Sequence, residues 1–364
     1  MTEKVDGIRW EIEELDQEIM ELIGKRMEAA LSMGRTKVEK AMPVRNLKVE
    51  DEVVNRYRER AKAAGISEEA AADIANILIR ESVESQARLS RPMKSVKEVC
   101  IIGGQGKMGL WFARYMAMRG HKVKLLDTRK KDPKVKTEFP LVTDLDAAMR
   151  TADVVIVAVT ISQARSVLEQ VIEAKPKGLV FDIMSVKQPI IPTLEKAAVE
   201  GLKICSVHPM FGPNALSMYS RNIIVCDCGS TRGVEEFLPL IEGMGAKVTE
   251  MPVSEHDEMI SFVLGLSHAI NIAFFSALKD SGIEFKSFED IASTTFKKQS
   301  ASAMSVALES PDLYYEIQHD NPYTEKNFEL LARVLSELRS AALDEDRSRF
   351  VQMMKEGRKY FGED

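Results

Sequence analysis

Residues 98–109 read EVCIIGGQGKMG, and no other stretch restricts the fold of this chain as tightly. An apolar strand over 99–102 runs into Gly104-x-Gly106-x-x-Gly109 and then into a helical run over 110–119. Gly104 allows the tight turn, Gly106 lets backbone approach a pyrophosphate, and Gly109 lets helix and strand pack closely. The N–H groups at the helix start, with their positive dipole end, suit phosphates. A second strand over 122–126 ends on Asp127, where an acid usually accepts from a ribose 2′-hydroxyl. The candidate cofactor residues are therefore Gly104, Gln105, Gly106, Lys107, Met108 and Gly109, then Asp127, Thr128 and Arg129, with Thr160 after a later strand. Asp127 favours NAD, whereas Arg129 and Lys130 could hold the extra phosphate of NADP, so NAD is expected with NADP left open.

Beyond this turn, strands over 153–159, 178–184 and 203–207 alternate with helices over 162–174 and 188–200. Continuous apolar strands separated by helices predict a parallel, doubly wound sheet, whose ligands lie beyond the carboxyl ends of the strands. The polar residues expected there are Thr160, Ser185 in DIMSVK and His208 in HPMFGP. His208 follows the strand over 204–207 and is held by Pro209 and Pro213 after it, and a histidine is well tuned to move a proton near neutral pH. Two more strands, 221–228 and 246–251, flank a helix, and from residue 254 the pattern is helical. His268 lies in the apolar run 255–278, where a lone histidine is more often a satisfied core residue.

The net charge of −6 gives no reason to expect a nucleic-acid partner. The basic cluster at 129–136 is broken by Asp132 and Pro133 and reads as a solvated loop. Cys100, Cys205, Cys226 and Cys228, placed on predicted strands, lack CxxC spacing, so reduced core thiols and no metal site are expected. Charged residues begin an amphipathic helix at the N-terminus, and the apolar run 262–278 is short for a membrane span and reads as a buried helix. A cytoplasmic protein with no membrane partner follows as the expectation.

In the first ninety residues Val5, Ile8, Ile12, Leu15, Ile19 and Leu22 recur at steps of three and four, predicting one long helix with a continuous stripe. Continuing the count places Arg26 and Lys37 where core residues belong. After Pro43, a second helix over 50–64 turns Val53, Val54, Tyr57 and Ala61 inward, with Glu50 one turn before them. A third, over 68–89, places Ser82 and Gln86 after Leu78 on its apolar side. Three helices thus aim cations, an acid, a hydroxyl and an amide into one interior, which suits a small polyanion bearing a hydroxyl and an ether oxygen.

This segment, 5–90, resembles the all-helical chorismate mutase family through I8-R9, K25-R26, G34-R-T-K37, P43-V-R45, E50 and E81-S82-V-E-S-Q86. The resemblance implies that Arg9 crosses to a partner subunit's site and Arg26 grips a carboxylate. It further implies that Lys37 and Gln86 hydrogen-bond the breaking ether oxygen, Glu50 holds the ring hydroxyl and Ser82 lies near a carboxylate. Val49 stands where many members carry arginine, and Arg45 or Lys48 is available to supply that charge.

Residues 98–251 resemble the prephenate dehydrogenase family through GGQGKMG, DIMSVK and SVHPMFGP. That implies oxidative decarboxylation, with His208 accepting the ring-hydroxyl proton and Ser185 assisting, and extends to His268 as a substrate-binding histidine. The arginine the family uses late in the chain has no clean match near NPYTEKN, leaving Lys297, Lys298 and Lys326 to meet carboxylates. The expected architecture is multidomain: all-α mutase-like helices over 1–91, a Rossmann-type α/β doubly wound sheet over 97–252, and an all-α dimerisation domain over 253–364. The expected function couples chorismate rearrangement to prephenate oxidation in tyrosine biosynthesis, in a homodimer with chorismate and prephenate as small-molecule partners. The alternative is a prephenate or arogenate dehydrogenase whose N-terminal helices are an assembly arm of weak catalysis.

Overall fold

The computed structural model describes residues 2–40, 42, 46–87, 89, 95–127, 137–344 and 347–362. They form two compact units. The first comprises Met1–Val159, Ser166–Ile183 and Leu194–Met251, and the second Thr160–Arg165, Met184–Thr193 and Pro252–Asp364.

Helices α1 (Thr2–Glu39), α2 (Leu47–Ala61) and α3 (Glu68–Ala87) open the first unit. Asn46 starts α2 by accepting the Val49 N–H at 3.3 Å, and Ser67 starts α3 through Ala70 N–H at 3.1 Å. These side chains serve amides that a first helical turn leaves unbonded. Both α1 and α2 pack against α3, whose Ala71, Ala72, Ala75 and Leu78 are buried. The stripe expected to face a core along α1 behaves differently: Val5, Ile8, Ile12, Leu15, Ile19 and Leu22 are 47–63% exposed. Partly buried positions on α1 begin only at Ile23. Its N-terminal half therefore keeps an apolar face that nothing described in this chain covers.

The sheet is built from β1 (Glu98–Ile102), β2 (Lys122–Leu126), β3 (Leu141–Val142), β4 (Val154–Val157), β5 (Leu179–Asp182), β6 (Ile204–Pro209), β7 (Asn222–Asp227) and β8 (Lys247–Pro252). Between them run α4 (Lys107–Met118), α5 (Leu145–Thr151), α6 (Ile161–Glu173), α7 (Ile191–Val199) and α8 (Arg232–Ile241). The strand order is β3-β2-β1-β4-β5-β6-β7-β8, parallel from β3 through β6. The order reverses between β1 and β4, the crevice at which such sheets bind ligands.

β7, a strand expected over 221–228 without a direction, pairs antiparallel with β6, Val207 opposite Val225 and His208 opposite Ile224. The link over 210–221 carries no helix, so the chain turns back beside β6 instead of crossing over. His208, expected just past the strand, is in consequence a member of it. Cys228 lies one residue past β7 rather than on a strand, and all four cysteines are free and buried.

The core gathers on Phe181 of β5, whose ring lies 5.0 Å from Phe237 of α8 and 6.2 Å from Phe112 of α4. All three are at most 1% exposed.

The second unit is helical: α9 (Val253–Ile260), a π-helical turn (Ser261–Leu266), α10 (Ser267–Asp280), α11 (Phe285–Asp290), α12 (Thr294–Ala307), α13 (Pro311–His319), α14 (Thr324–Leu343) and α15 (Arg347–Tyr360). The 28 residues Val253–Asp280 are long and apolar enough to cross a bilayer by composition alone. Their expected burial is partial, since Phe262, Val263 and Ile270 are 42%, 52% and 40% exposed. The segment packs on α12 along α10 and on α13 and α14 at the π-helical turn. An apolar groove of about 480 Å³ opens among α10, α11 and α12, with Phe274, Phe285, Phe288 and Met304 on its walls.

Replacing Phe181 by alanine removes the ring on which two helices meet. The expected loss is about 3–5 kcal/mol, read as a lower denaturant midpoint. A loss below about 1 kcal/mol would show that this core collapses around the gap.

Candidate functional site

On the helical segment, sequence-predicted residues come together in two pairs. Arg26 of α1 donates to Ser82 Oγ at 2.6 Å and to the Leu78 carbonyl at 2.9 Å, both on α3. Three turns along α1, Lys37 Nζ donates to Gln86 Oε1 at 3.3 Å. Ser82 and Gln86 are buried, at 7% and 6% exposure. Gly34 permits this approach, since a Cβ there would stand 2.7 Å from Gln86 Cγ. Two cations at positions of a core stripe are thus met by a hydroxyl, a carbonyl and an amide oxygen, the partners that burial of charge requires.

Glu50 is half-buried in the first turn of α2. Arg9 is not brought to this group. It is exposed beside Asp6 at 3.4 Å, and the helical rise puts it about 25 Å along α1 from Arg26. Arg45 lies outside the described residues, as do Thr128 and Arg129.

At the glycine turn the residue with left-handed backbone is Gly103, at φ +74°, rather than Gly104. A Cβ on Gly103 would meet the Ala158 carbonyl past β4 at 2.4 Å, and one on Gly104 would meet Leu125 of β2 at 2.8 Å. At Gly109 it would stand 2.7 Å from the Gly103 carbonyl, which fixes how closely α4 packs on β1. Gly106 differs, its nearest obstacles being Gly103 O at 3.2 Å and Ala158 O at 3.9 Å. Gly106 also starts α4 with no side chain capping the first amides. The absence of a side chain at Gly106 and the uncapped N–H groups at Lys107 and Met108 fit a pyrophosphate. Asp127 is 5% exposed and accepts the Gln105 N–H at 3.3 Å, so the acid is held at the turn. Thr160, exposed and 3.1 Å from Ser162 Oγ, belongs to the other unit.

His208 is 3% exposed, more enclosed than the expected strand-end imidazole because β7 continues its ladder through Pro209 opposite Ile223. The loop after it is fastened by a residue that sequence reading passed over. Trp111 of α4 donates from Nε1 to the Ala215 carbonyl at 2.6 Å and lies 5.0 Å from the Phe211 ring. An aromatic residue two positions past a glycine turn looks like helix core, and its indole N–H was the available signal.

In the second unit, Ser185 is half-buried in a bend. The segment carrying it is held by Asp257 of α9, 2% exposed, which accepts the Lys187 N–H at 2.9 and 3.0 Å and the Gln188 N–H at 2.7 Å. Asn321 and Asn327 of NPYTEKN are fasteners as well, donating to the Asp257 carbonyl at 2.9 Å and Ser261 Oγ at 2.8 Å. Lys298 and Lys326 are exposed, as is Lys297.

His268 is 8% exposed and its ring stacks on Tyr314 with centroids 4.2 Å apart. Its Nδ1 has no hydrogen-bond partner among the described residues. One turn on, Asn271 accepts from Gln299 of α12 at 3.0 Å. Burial pushes the His268 imidazole down to about 4, so it is neutral at physiological pH.

The unfolded chain binds a proton at this histidine near pH 6.5 and the folded chain only near 4, so acid favours unfolding between those values. Relative to His268→Gln, the wild type should keep its full stability above pH 6.5, lose ground as pH falls towards 4, and lose no more below it. Denaturant midpoints of the two proteins across that range measure this. Parallel curves would mean that the imidazole titrates as in water.

Family models match three consecutive segments. Chorismate mutase type II matches residues 8–87, the nucleotide-binding domain of prephenate dehydrogenase matches 112–250, and the dimerisation domain of prephenate dehydrogenase matches 252–356. A T-protein from Haemophilus influenzae is 27% identical over 99% of this chain and 93% of its own length. A 4-amino-4-deoxyprephenate dehydrogenase from Streptomyces pristinaespiralis is 29% identical over 72% of this chain and 90% of its own. The crystal structure of prephenate dehydrogenase from A. aeolicus in complex with hydroxyphenyl propionate and NAD+ shares the fold, with a TM-score of 0.60 at 18% identity. It covers 73% of this chain and 97% of that one. These matches make the chain a member of the prephenate dehydrogenase family, with a type II chorismate mutase preceding the nucleotide-binding and dimerisation domains.

Proposed function

We infer that the protein is a bifunctional enzyme of tyrosine biosynthesis, converting chorismate to prephenate and then, with NAD, prephenate to 4-hydroxyphenylpyruvate. The observation that carries the first activity is the pair of cations, Arg26 and Lys37, retained in a helical interior opposite Ser82 and Gln86. A Claisen rearrangement needs no nucleophile. It needs the reactive conformer held and charge on the ether oxygen met as the C–O bond breaks. In this reading Arg26, with Ser82 beside it, takes a substrate carboxylate, Lys37 and Gln86 face the ether oxygen, and Glu50 takes the ring hydroxyl. Arg9, too far along α1 to serve its own chain, serves a second copy that also covers the exposed stripe of α1. The matched dimerisation domain supports the same homodimer.

For the second activity, the glycine turn with Asp127 holds NAD, which supplies the acceptor for the hydride leaving the ring carbon. His208 takes the proton of the hydroxyl on that carbon, Ser185 supports the same hydroxyl, and loss of CO2 aromatises the ring. His268, neutral and with Nδ1 unpaired, offers a hydrogen bond rather than a charge. The carboxylates fall to lysines, for which Lys298 and Lys326 are the candidates. Three domains, 1–91, 97–252 and 253–364, and a cytoplasmic location complete the proposal.

Purified protein given chorismate alone should consume it, and adding NAD should then raise reduced-nicotinamide absorbance. Lys37→Ala should slow chorismate loss by about 10²–10³-fold and spare oxidation of supplied prephenate. His208→Asn should slow that oxidation by about 10²–10⁴-fold and spare the mutase. Chorismate that persists while supplied prephenate is oxidised would reduce the N-terminal helices to an assembly arm.

A further inference from the structure

Asp257 has no direct part in the proposed chemistry, yet its carboxylate is engaged by two backbone amides and a histidine. Both of its oxygens accept backbone N–H groups, from Lys187 and Gln188. His256 Nδ1, fully buried, lies 2.7 Å from Oδ1 and donates to it. From the other side Asn321 Nδ2 holds the Asp257 backbone carbonyl at 2.9 Å. A bend two residues from Ser185, the first helix of the unit and the start of NPYTEKN therefore meet on one residue. The bend has no ladder of its own, since residues 183–187 lie in no strand or helix. Asp257 gives acceptors to the amides of Lys187 and Gln188 at its end, and burying amides without acceptors is costly.

We propose that Asp257 is a positioning residue for prephenate oxidation, fixing the backbone that aims the Ser185 hydroxyl. This rests on the role assigned to Ser185 above. A carboxylate is required because it is acceptor-only and can meet three donors at once. An asparagine has the same shape but retains one acceptor oxygen and turns an NH2 towards a backbone N–H. The bend should then shift by a fraction of an ångström without loss of the fold, enough to misplace a hydroxyl that must contact a reacting group.

The test is a double-mutant cycle of Ser185→Ala and Asp257→Asn, with kcat and KM for prephenate measured at saturating NAD and chorismate turnover as the check of folding. Asp257→Asn should lower kcat by about 10- to 100-fold, with KM for NAD and mutase turnover unchanged. In the Ser185→Ala background the same change should have little further effect, because the group it positions is gone. A purely structural role would lower the melting temperature and multiply with the Ser185→Ala loss. Full additivity, or an unaltered kcat in Asp257→Asn, overturns the proposal. A Ser185→Ala variant that keeps wild-type kcat removes the role given to Ser185, and this inference with it, so the two failures are distinguishable. If Asp257→Asn loses mutase turnover and so its fold, Asn321→Ala takes its place in the cycle. It removes the amide on the Asp257 carbonyl together with the oxygen that accepts the Tyr323 N–H and leaves the Asp257 carboxylate in place, and the same criteria apply.

Discussion

Polar groups taken out of water need partners, and the interiors of both candidate sites are laid out by that requirement. On the helical segment it sets which residues of α3 lie opposite α1, since Arg26 must meet Ser82 and the Leu78 carbonyl while Lys37 must meet Gln86. Hydrocarbon side chains at those positions would hold two helices together at least as well, because an internal charge network returns little net stability. What the polar residues add is exchangeability. A ligand with carboxylate and ether oxygens can replace the internal acceptors one for one, so the site is already charged and oriented before substrate arrives. In the second unit Asp257 meets the same requirement without that exchangeability, its acceptor capacity being taken by backbone amides that do not leave.

Steric demands at the glycine turn act in a complementary way. Gly103, Gly104 and Gly109 are each closed by neighbouring backbone or side-chain atoms nearer than 3.0 Å to a Cβ, whereas Gly106 is less tightly enclosed, its nearest neighbour at 3.2 Å. Three glycines therefore serve the packing of β1, β2, β4 and α4, and one keeps an approach open for a ligand. Because α4 also carries Trp111, which pins the loop after His208, the helix that begins at the phosphate end of the turn orders the segment next to the candidate base.

These relations were legible in the sequence where they are local or periodic. The glycine spacing implies its own backbone geometry, and Arg26, Lys37, Ser82 and Gln86 stood out because they interrupt an apolar repeat. Asp257 did not, since in EHDE it resembles any acidic first turn of an exposed helix, and its partners lie some seventy residues earlier. Asn321 and Asn327 lie in the stretch where the family arginine has no match, and their amides turn inward to fasten backbone and Ser261. The direction of β7 was hidden because a continuous apolar run looks alike in a parallel or an antiparallel pair. The stripe on α1 shows the limit most plainly. Periodicity says that a face is to be buried but not which molecule buries it.

The neutrality of His268 bears on how a dianionic substrate is recognised. A cationic imidazole there would bind a carboxylate, but its charge would be buried among apolar neighbours and stacked on Tyr314, which is why the proton leaves so readily. In the proposed role, a neutral ring whose Nδ1 has no partner among the described residues would instead discriminate by hydrogen bonding, and discrimination of that kind is steep because a ligand lacking the matching group leaves a buried atom unpaired. In the same proposal, exposed lysines such as Lys298 and Lys326 would contribute attraction that water and salt weaken. Charge would then gather the substrate while the buried imidazole selects it. That division suits a chain whose dehydrogenase segment must accept the very diacid that its mutase segment releases, in the presence of chorismate, which carries the same charge.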